Sequence, residues 1–458
     1  MWNLKDLNTD MSLYLAIVDA LERDIKNGIL KPGDKLPTQR ELAKIVGVNL
    51  TTVTRAYKEA TKRGLIFASV GNGTYISNDL GMHTALLDAT SDNTSTVFHQ
   101  RFDIGLAKPL EYLDPDIRPI VSEIMKSKDF MQYLRYTPPQ GFLSHREIAA
   151  SWISHFHIHA DASHILITSG TNHALTCILS ALFKPGDKLA VDCYTYPGIK
   201  AVAKRFGILL EAIDMDEEGM TPASLWNTCH RTTIKGVYTM PFIQNPTGAI
   251  RSEKRTQQLL SIIKKYQLIS IEDDMYGYLL PTTQVPLAAY YPENSIFISG
   301  MSKVCYPGLR TSFVVAPDNY YNLICQAIID TISMTSSMNV AIICYCITNN
   351  LVDTIAEKKR AELALRETLL YKLIDPNYIT YSKGSMFAWI RLPNYWTPKS
   401  ITKACAELGV TIMPAEKFVV GSLAPLSHIR ISLSAANTLL SFKKGLTILA
   451  DLINKGPY

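Results

Sequence analysis

The chain has 458 residues, with 46 Lys and Arg against 41 Asp and Glu for a net charge of +5; 19% of residues are charged and 47% hydrophobic. That balance excludes a disordered or collagen-like chain and, at roughly 150 residues per domain, leaves room for about three globular units. The eight cysteines are too dilute for a disulfide scaffold, and Cys344 and Cys346, inside the apolar run AIICYCI, read as buried thiols. No apolar run reaches the roughly 18 residues of a membrane span, and the opening MWNLKDLNTD is charged where a signal peptide is apolar; the expected location is the cytoplasm.

The charge is concentrated. Lys35, Arg40, Lys44, Arg55, Lys58, Lys62 and Arg63 face only Glu41 and Glu59 over 35–63, so this stretch alone carries the +5 of the whole chain. A local basic patch on a neutral body suggests one face that meets a polyanion. Around it, Leu13, Ile17, Leu21 and Ile25 recur at helical spacing over 11–27. A second helix is expected in TQRELAKIV, with Thr38 as N-cap and Glu41 three residues on, a capping-box pattern. Gly47 makes a tight turn, and a third helix starts near Asn49. Two short strands, LIFAS and TYIS, flank a Gly71-Asn72-Gly73 turn. Helix, turn, helix and hairpin together predict a winged helix-turn-helix.

The string KLPTQRELAKIVGVNLTTVTRAYKEATKRGLI followed by GNGTYIS resembles the GntR-type winged helix domain along its whole length. The resemblance implies double-stranded operator DNA as partner. Thr51, Thr52 and Arg55, at the start of the third helix, would face base edges. Arg40 and Lys44 would hold phosphates, and the Gly71, Asn72 and Gly73 wing tip would approach the backbone closely. Leu50 stands where the family usually has Arg, which removes one familiar DNA contact. Domain boundaries are expected at 1–78 for this head and 79–101 for a linker around the small polar run ATSDNTST.

From residue 102 to 458, short β-rich runs (HILITSG, KLAVDC, KGVYTM, LISIEDD, SIFISG, SFVVAP) alternate with helical stretches. This predicts an α/β domain with a mostly parallel sheet and helices on both faces. Polar motifs end those runs: Ser169-Gly170-Thr171-Asn172, Tyr194-Thr195-Tyr196-Pro197, Asn245-Pro246-Thr247-Gly248, Glu272-Asp273-Asp274-Met275-Tyr276, then Ser302-Lys303 with Arg310 seven residues later, and Arg430 in HIRISLS. Ligands bind at such strand ends.

Six motifs in this order resemble the fold-type I aminotransferases that use pyridoxal 5′-phosphate (PLP). With the GntR-like head, the whole chain resembles a MocR-subfamily regulator of the bacterial cytoplasm or nucleoid. The form EDD-M-YGYL is closer to the aminoadipate-aminotransferase-like branch. The resemblance implies a large lobe over about 135–335. It also implies a small α+β lobe over about 336–458 together with the 102–134 arm. It casts Lys303, Asp273 and Tyr276 as the catalytic set: Lys303 bonds to the PLP aldehyde and Asp273 faces the pyridine nitrogen. Asn245 and Tyr276 would hydrogen-bond the ring oxygen, and Tyr196 would stack on the ring. Gly170, Thr171, Asn172, Ser302 and Arg310 would gather at the phosphate. Arg430, beside Asn245, would clamp an amino acid's carboxylate. Tyr136 matches the family tyrosine that reaches the phosphate of the neighbouring subunit, implying a homodimer. Gly300, three residues before Lys303, replaces a usual hydroxyl, for which Ser299 or Ser302 would compensate.

His155, His157 and His159, with His164 nearby, alternate as metal ligands can, yet no carboxylate or Cys accompanies them in sequence, and they read as an exposed connector. The expected function is a PLP-dependent DNA-binding regulator that senses PLP, an amino acid or an amine. The alternative is a working aminotransferase with an appended DNA-binding domain.

Overall fold

The computed structural model describes residues 12–30, 34–63, 65–69, 73–76, 102–421 and 425–456. Gly71, Asn72 and the expected linker over 79–101 lie outside the described residues. The chain divides into two compact units, a head and a body.

In the head, α1 (Leu13–Lys26), α2 (Gln39–Val46) and α3 (Leu50–Lys62) precede an antiparallel hairpin of β1 (Ile66–Ser69) and β2 (Gly73–Ile76). The capping box forms as the sequence predicts: the Thr38 amide donates to Glu41 Oε2 at 2.8 Å and the Glu41 amide to Thr38 Oγ1 at 3.3 Å. The bond from the Thr38 amide holds the Glu41 carboxyl below the usual carboxylate range. Gly47 turns the chain in the left-handed region at φ 72°. Ile17, Val18, Leu21, Leu42, Val53, Tyr57, Ile66 and Ile76 bury one core shared by all three helices and the hairpin.

The body is built on a seven-stranded sheet. Its strands are β4 (Ile165–Thr168), β5 (Lys188–Asp192), β6 (Leu209–Ile213), β7 (Gly236–Thr239), β8 (Ile269–Asp274), β9 (Ser295–Gly300) and β10 (Ser312–Val315), in the order β4-β10-β9-β8-β7-β5-β6. Five neighbours in that order, β9 to β6, run parallel, while β10 is antiparallel to both β9 and β4. Only residues 301–311 join β9 to β10, too few for the dozen or more that a parallel crossover needs. Leu225, Leu259 and Ile263 pack helices against Ala190 and Val237 of the sheet. Strands β4, β5, β7, β8 and β9 are buried on nearly every residue, as expected of a sheet covered on both faces.

A second, four-stranded antiparallel sheet lies in the C-terminal part, with β11 (Ile379–Thr380), β12 (Phe387–Arg391), β14 (Met413–Pro414) and β15 (His428–Ser432) in the order β11-β12-β15-β14. Beside it, β3 (Phe102–Asp103) pairs in parallel with β13 (Val410–Thr411), so the first described body residues join the small lobe. All eight cysteines are free thiols, and Cys344 and Cys346 are buried. Among the described residues no single helix is long and apolar enough to cross a membrane.

Candidate functional site

In the head, Leu50 and Thr51 open α3 exposed, Arg55 is exposed one turn later and Thr52 is half-buried. The Arg55 guanidinium lies 4.1 Å from the centre of the Tyr14 ring, which fixes its direction by cation–π contact. Arg40 and Lys44 are exposed on α2. Arg63, by contrast, is answered from within the head by Glu59, Asp19 and Glu22 at 3.0, 3.4 and 3.8 Å. Thr54 carries no sequence signal of its own, although it follows Thr51 by three residues. Its hydroxyl donates to Gln39 Oε1 at 2.8 Å and ties α3 to α2. Gly73 has an internal reason to lack a side chain: at φ 115° its Cβ would stand 2.8 Å from Lys35 Cε.

In the body, the motifs meet at one edge of the seven-stranded sheet. Gly170 and Thr171 follow β4, Tyr196 follows β5, Asn245 follows β7, Asp273 is the next-to-last residue of β8 and Lys303 follows β9. Arg310 reaches the same edge because β10 is antiparallel, so its start lies where the parallel strands end. Gln244, which the sequence reading passes over, holds the Asn245 turn. Its Nε2 donates to the Tyr194 carbonyl at 2.6 Å, and its Oε1 accepts from the Thr247 amide at 2.9 Å.

Burial sets the electrostatics. Lys303 is pushed down to about 8, by desolvation first and then by the Arg430 and Arg310 charges. Asp273 is raised to about 7 by burial. Its Oδ2 accepts from the Tyr238 hydroxyl at 2.8 Å, while its Oδ1 is buried with no partner among the described residues. The neighbouring Asp274 is occupied locally, since its Oδ1 accepts the Tyr276 and Gly277 amides at 3.0 and 2.7 Å. Of the two aspartates, Asp273 is the one with an acceptor to spare. Burial, then the Asp273 charge, pushes the Tyr196 phenol up to about 12. Tyr238 gives no sequence signal, because it sits inside an evenly apolar strand.

Tyr196 donates to Asn172 Oδ1 at 3.1 Å and Arg310 Nη1 donates to Ser302 Oγ at 2.8 Å. Gly170 has φ 84°, and a Cβ there would overlap the Arg310 guanidinium. Gly300 is likewise forced: a Cβ would overlap the Met275 sulfur and stand 2.6 Å from Thr171 Oγ1. The Thr171 hydroxyl donates to Met275 Sδ at 2.8 Å. Met275 thus fills the space a hydroxyl residue at 300 would use. Ser299 does not compensate, because its Oγ accepts the Trp152 indole N–H at 3.0 Å inside the core; Ser302, held by Arg310, is the hydroxyl that remains.

Arg430 is only 4% exposed. Its Nη1 donates to Asn245 Oδ1 at 2.6 Å, its Nη2 donates to the Gly105 carbonyl, and its Nε is buried with no partner among the described residues. Phe387 and Phe418 flank the guanidinium at 4.7 and 4.8 Å. Desolvation pushes it down to about 10. No carboxylate pairs with it among the described residues, an expensive arrangement for a buried cation.

Tyr136 does not join this group within the chain: it is 93% exposed. His145 is a core residue against Tyr133 and Phe142, pushed down to about 4 by burial. The other histidines diverge: His155 meets the Trp152 carbonyl, His157 the Thr283 carbonyl and His164 the Asp318 carboxylate.

Residues 111–444 match the aminotransferase class I and II family, and residues 13–76 match the bacterial regulatory proteins of the gntR family. The chain is 30% identical over 453 residues to the uncharacterized HTH-type transcriptional regulator YdeF of Bacillus subtilis, covering 99% of this chain and 97% of that one. The chain belongs to the MocR-type regulators, GntR heads joined to aminotransferase class I and II bodies. It is also 27% identical over 328 residues to aromatic-amino-acid aminotransferase 1 of Thermococcus litoralis, covering 69% of this chain and 78% of that one. Its fold is similar to the crystal structure of LysN, an α-aminoadipate aminotransferase of Thermus thermophilus complexed with N-(5′-phosphopyridoxyl)-L-leucine. That match has a TM-score of 0.70 at 21% identity over 81% of this chain and 98% of that one.

The GntR head is a DNA-binding domain, and the cofactor of the MocR-type body is PLP. The residues fit it. The spare Asp273 Oδ1 suits a ring N–H, the desolvated Lys303 suits an aldehyde, and the bare Gly170 edge beside Arg310, Ser302 and Thr171 suits a phosphate.

Proposed function

We propose that this MocR-type regulator holds PLP at Lys303 and changes its grip on operator DNA when an α-amino acid or amine reaches the body. The observation that carries the reading is Arg430, buried without a carboxylate and with a spare Nε among the described residues. An incoming carboxylate offsets that desolvation with charge-assisted hydrogen bonds. PLP, when bound, supplies an electron sink and a carbonyl for an amine. The chain's own residues do the rest. Asp273 holds a proton at the ring nitrogen, Tyr276 and Asn245 orient the ring oxygen, and Tyr196 covers the ring. Gly170, Thr171, Asn172, Ser302 and Arg310 hold the phosphate. On DNA, Arg40 and Lys44 meet phosphates, Thr51, Thr52 and Arg55 face bases, and Gly71, Asn72 and Gly73 form the wing.

The exposure of Tyr136 supports a homodimer in which it completes the partner's phosphate site. The reading divides the chain at 1–78, 79–101 and 102–458, and assigns it to the bacterial cytoplasm. The test is binding of the full chain to the DNA upstream of its own gene, with and without PLP and each common amino acid. One amino acid is expected to shift the affinity; insensitivity to all of them and to PLP overturns the sensing claim. The complete set of Lys303, Asp273 and Arg430 also favours a second reading, steady-state transamination, which conversion of an amino acid plus a 2-oxo acid over many turnovers would establish.

A further inference from the structure

The segment after β9 carries two of the groups assigned to PLP, Lys303 and Arg310, and the backbone joining them is not relaxed. Tyr306 and Arg310 stand in the left-handed region at φ 42° and 49°. Such a conformation costs a non-glycine residue and persists only where the surroundings over-determine it. Here the surroundings are side chains from three other parts of the body. The Tyr278 hydroxyl donates to the Lys303 carbonyl. Lys359 Nζ donates to the Val304 carbonyl at 2.8 Å. Asp114 Oδ2 accepts the Tyr306 amide at 3.1 Å, and the Tyr306 hydroxyl donates to the Pro115 carbonyl at 2.9 Å. None of these contacts uses the Lys303 amine, so a bond from that amine to PLP competes with none of them.

The anchors also hold one another. Lys359 Nζ lies 2.8 Å from Asp114 Oδ1, an ion pair out of line for a hydrogen bond, and the two side chains are only 2% and 6% exposed. Arg360, the next residue, donates to the Tyr278 carbonyl at 3.0 Å. Asp114 precedes the seven-stranded sheet in the chain and Lys359 follows it, in the helix Leu351–Leu373, so the turn after β9 is gripped from outside the sheet. Stability alone is a poor reason for such a pair. Taking two charges out of water costs about what their attraction returns, and apolar residues of similar volume often serve as well. What the pair supplies and apolar residues do not is direction: a donor for the Val304 carbonyl and an acceptor for the Tyr306 amide, on either side of Cys305.

We propose that Lys359, with Asp114 and Tyr278, is a positioning residue for PLP, holding the backbone of Lys303 to Tyr306 so that the Lys303 amine meets the cofactor in one orientation. This rests on the assignment of PLP to Lys303 above. A lysine on a loosened turn is held ready in only a fraction of the molecules, and apparent affinity for PLP falls by that fraction.

The test titrates PLP into the full chain freed of cofactor. Affinity is read from the visible absorption, orientation from visible circular dichroism per bound PLP, and order in the turn from hydrogen exchange at the Tyr306 amide without PLP. Lys359→Met, which keeps the length and loses the charge, and Tyr278→Phe, which loses one hydroxyl, should each weaken PLP binding by about tenfold, the scale of a buried carbonyl left without its donor. Each should also lower the dichroism of the PLP that stays bound, and Lys359→Met should speed exchange at Tyr306. The double variant Lys359→Met with Asp114→Asn removes both charges and keeps an oxygen for the Tyr306 amide. It should melt near the parent without PLP and still bind PLP weakly, which separates positioning from support of the fold. If Lys359→Met or Tyr278→Phe binds PLP as tightly as the parent and with the same dichroism, the positioning proposal fails alone; should Lys359→Met not fold, the double variant takes its place. If the parent shows no visible band that Lys303→Ala removes, the PLP reading at Lys303 fails and takes the proposal with it.

Discussion

The head and the body handle charge in opposite ways. In the head, Arg40, Lys44 and Arg55 stand at the surface, and the fold asks little of them: Arg55 rests on Tyr14, and Arg63 is answered by three acids of its own unit. In the body, Arg430 and Asp273 are buried and each keeps an atom with no partner among the described residues, Nε in one and Oδ1 in the other. Exposed cations meet a polyanion in small, additive and salt-screened steps. Buried unmatched groups cost stability and regain it only with a ligand of the right chemistry. The contrast assigns general attraction to the head and selective chemistry to the body.

The sharpest way to break that contrast is Lys303→Ala. It should abolish the visible absorption that PLP gives when retained through gel filtration, while the binding of non-specific DNA stays within about twofold of the parent, as expected where phosphate contacts dominate. Loss of that DNA binding would mean that the body contributes to general attraction as well.

Asp273→Asn tests whether the body gives up stability to hold its ligand. A carboxyl raised from its ordinary value to about 7 in the fold binds its proton more tightly folded than unfolded. Stability without PLP therefore falls as pH rises from about 4 to about 7, and Asp274 and Asp192, raised to about 7 and about 6, act in the same direction. Removing the charge should stabilise the PLP-free chain at about pH 8, by on the order of 1–3 kcal/mol, yet weaken PLP binding. Thermal melts and PLP titrations of parent and variant at about pH 5 and about pH 8 check both signs; a variant that melts below the parent at about pH 8 contradicts the exchange.

The fold, and much of the site, is legible in the sequence because it rests on local rules. Thr38 and Glu41 announce a capped helix, and strand-end motifs announce a sheet-edge site. What escapes the sequence is contact at a distance. Tyr238 reaches Asp273 from the neighbouring strand, Asp103 accepts the Gly105 and Leu106 amides some two hundred residues before Lys303, and the Met275 sulfur stands where a side chain at 300 would go. The direction of β10 follows from chain length, since its joining segment is too short for a crossover. Gly300→Ser should cost about 1–3 kcal/mol of stability by overpacking against Met275, and Met275→Ala in the same chain should recover most of it. Chemical denaturation of the two single variants and the double variant measures the coupling; additive effects would remove Met275 from the account.

The smallest effects belong to the head. Arg40→Ala and Lys44→Ala should each weaken all DNA sequences alike and lower the slope of log affinity against log salt by about one. A change in sequence preference would move either residue from phosphate to base contact.

The central claim is that the body's unmatched cation reads the ligand that the head reports. It is tested most directly by fluorescence anisotropy on labelled upstream DNA, comparing the PLP-loaded parent with Arg430→Met across a titration of the responding amino acid. The account predicts a shift in DNA affinity for the parent. For the variant it predicts none until the amino acid is raised about a hundredfold, the scale of two charge-assisted hydrogen bonds. An identical titration curve for the two proteins would contradict it.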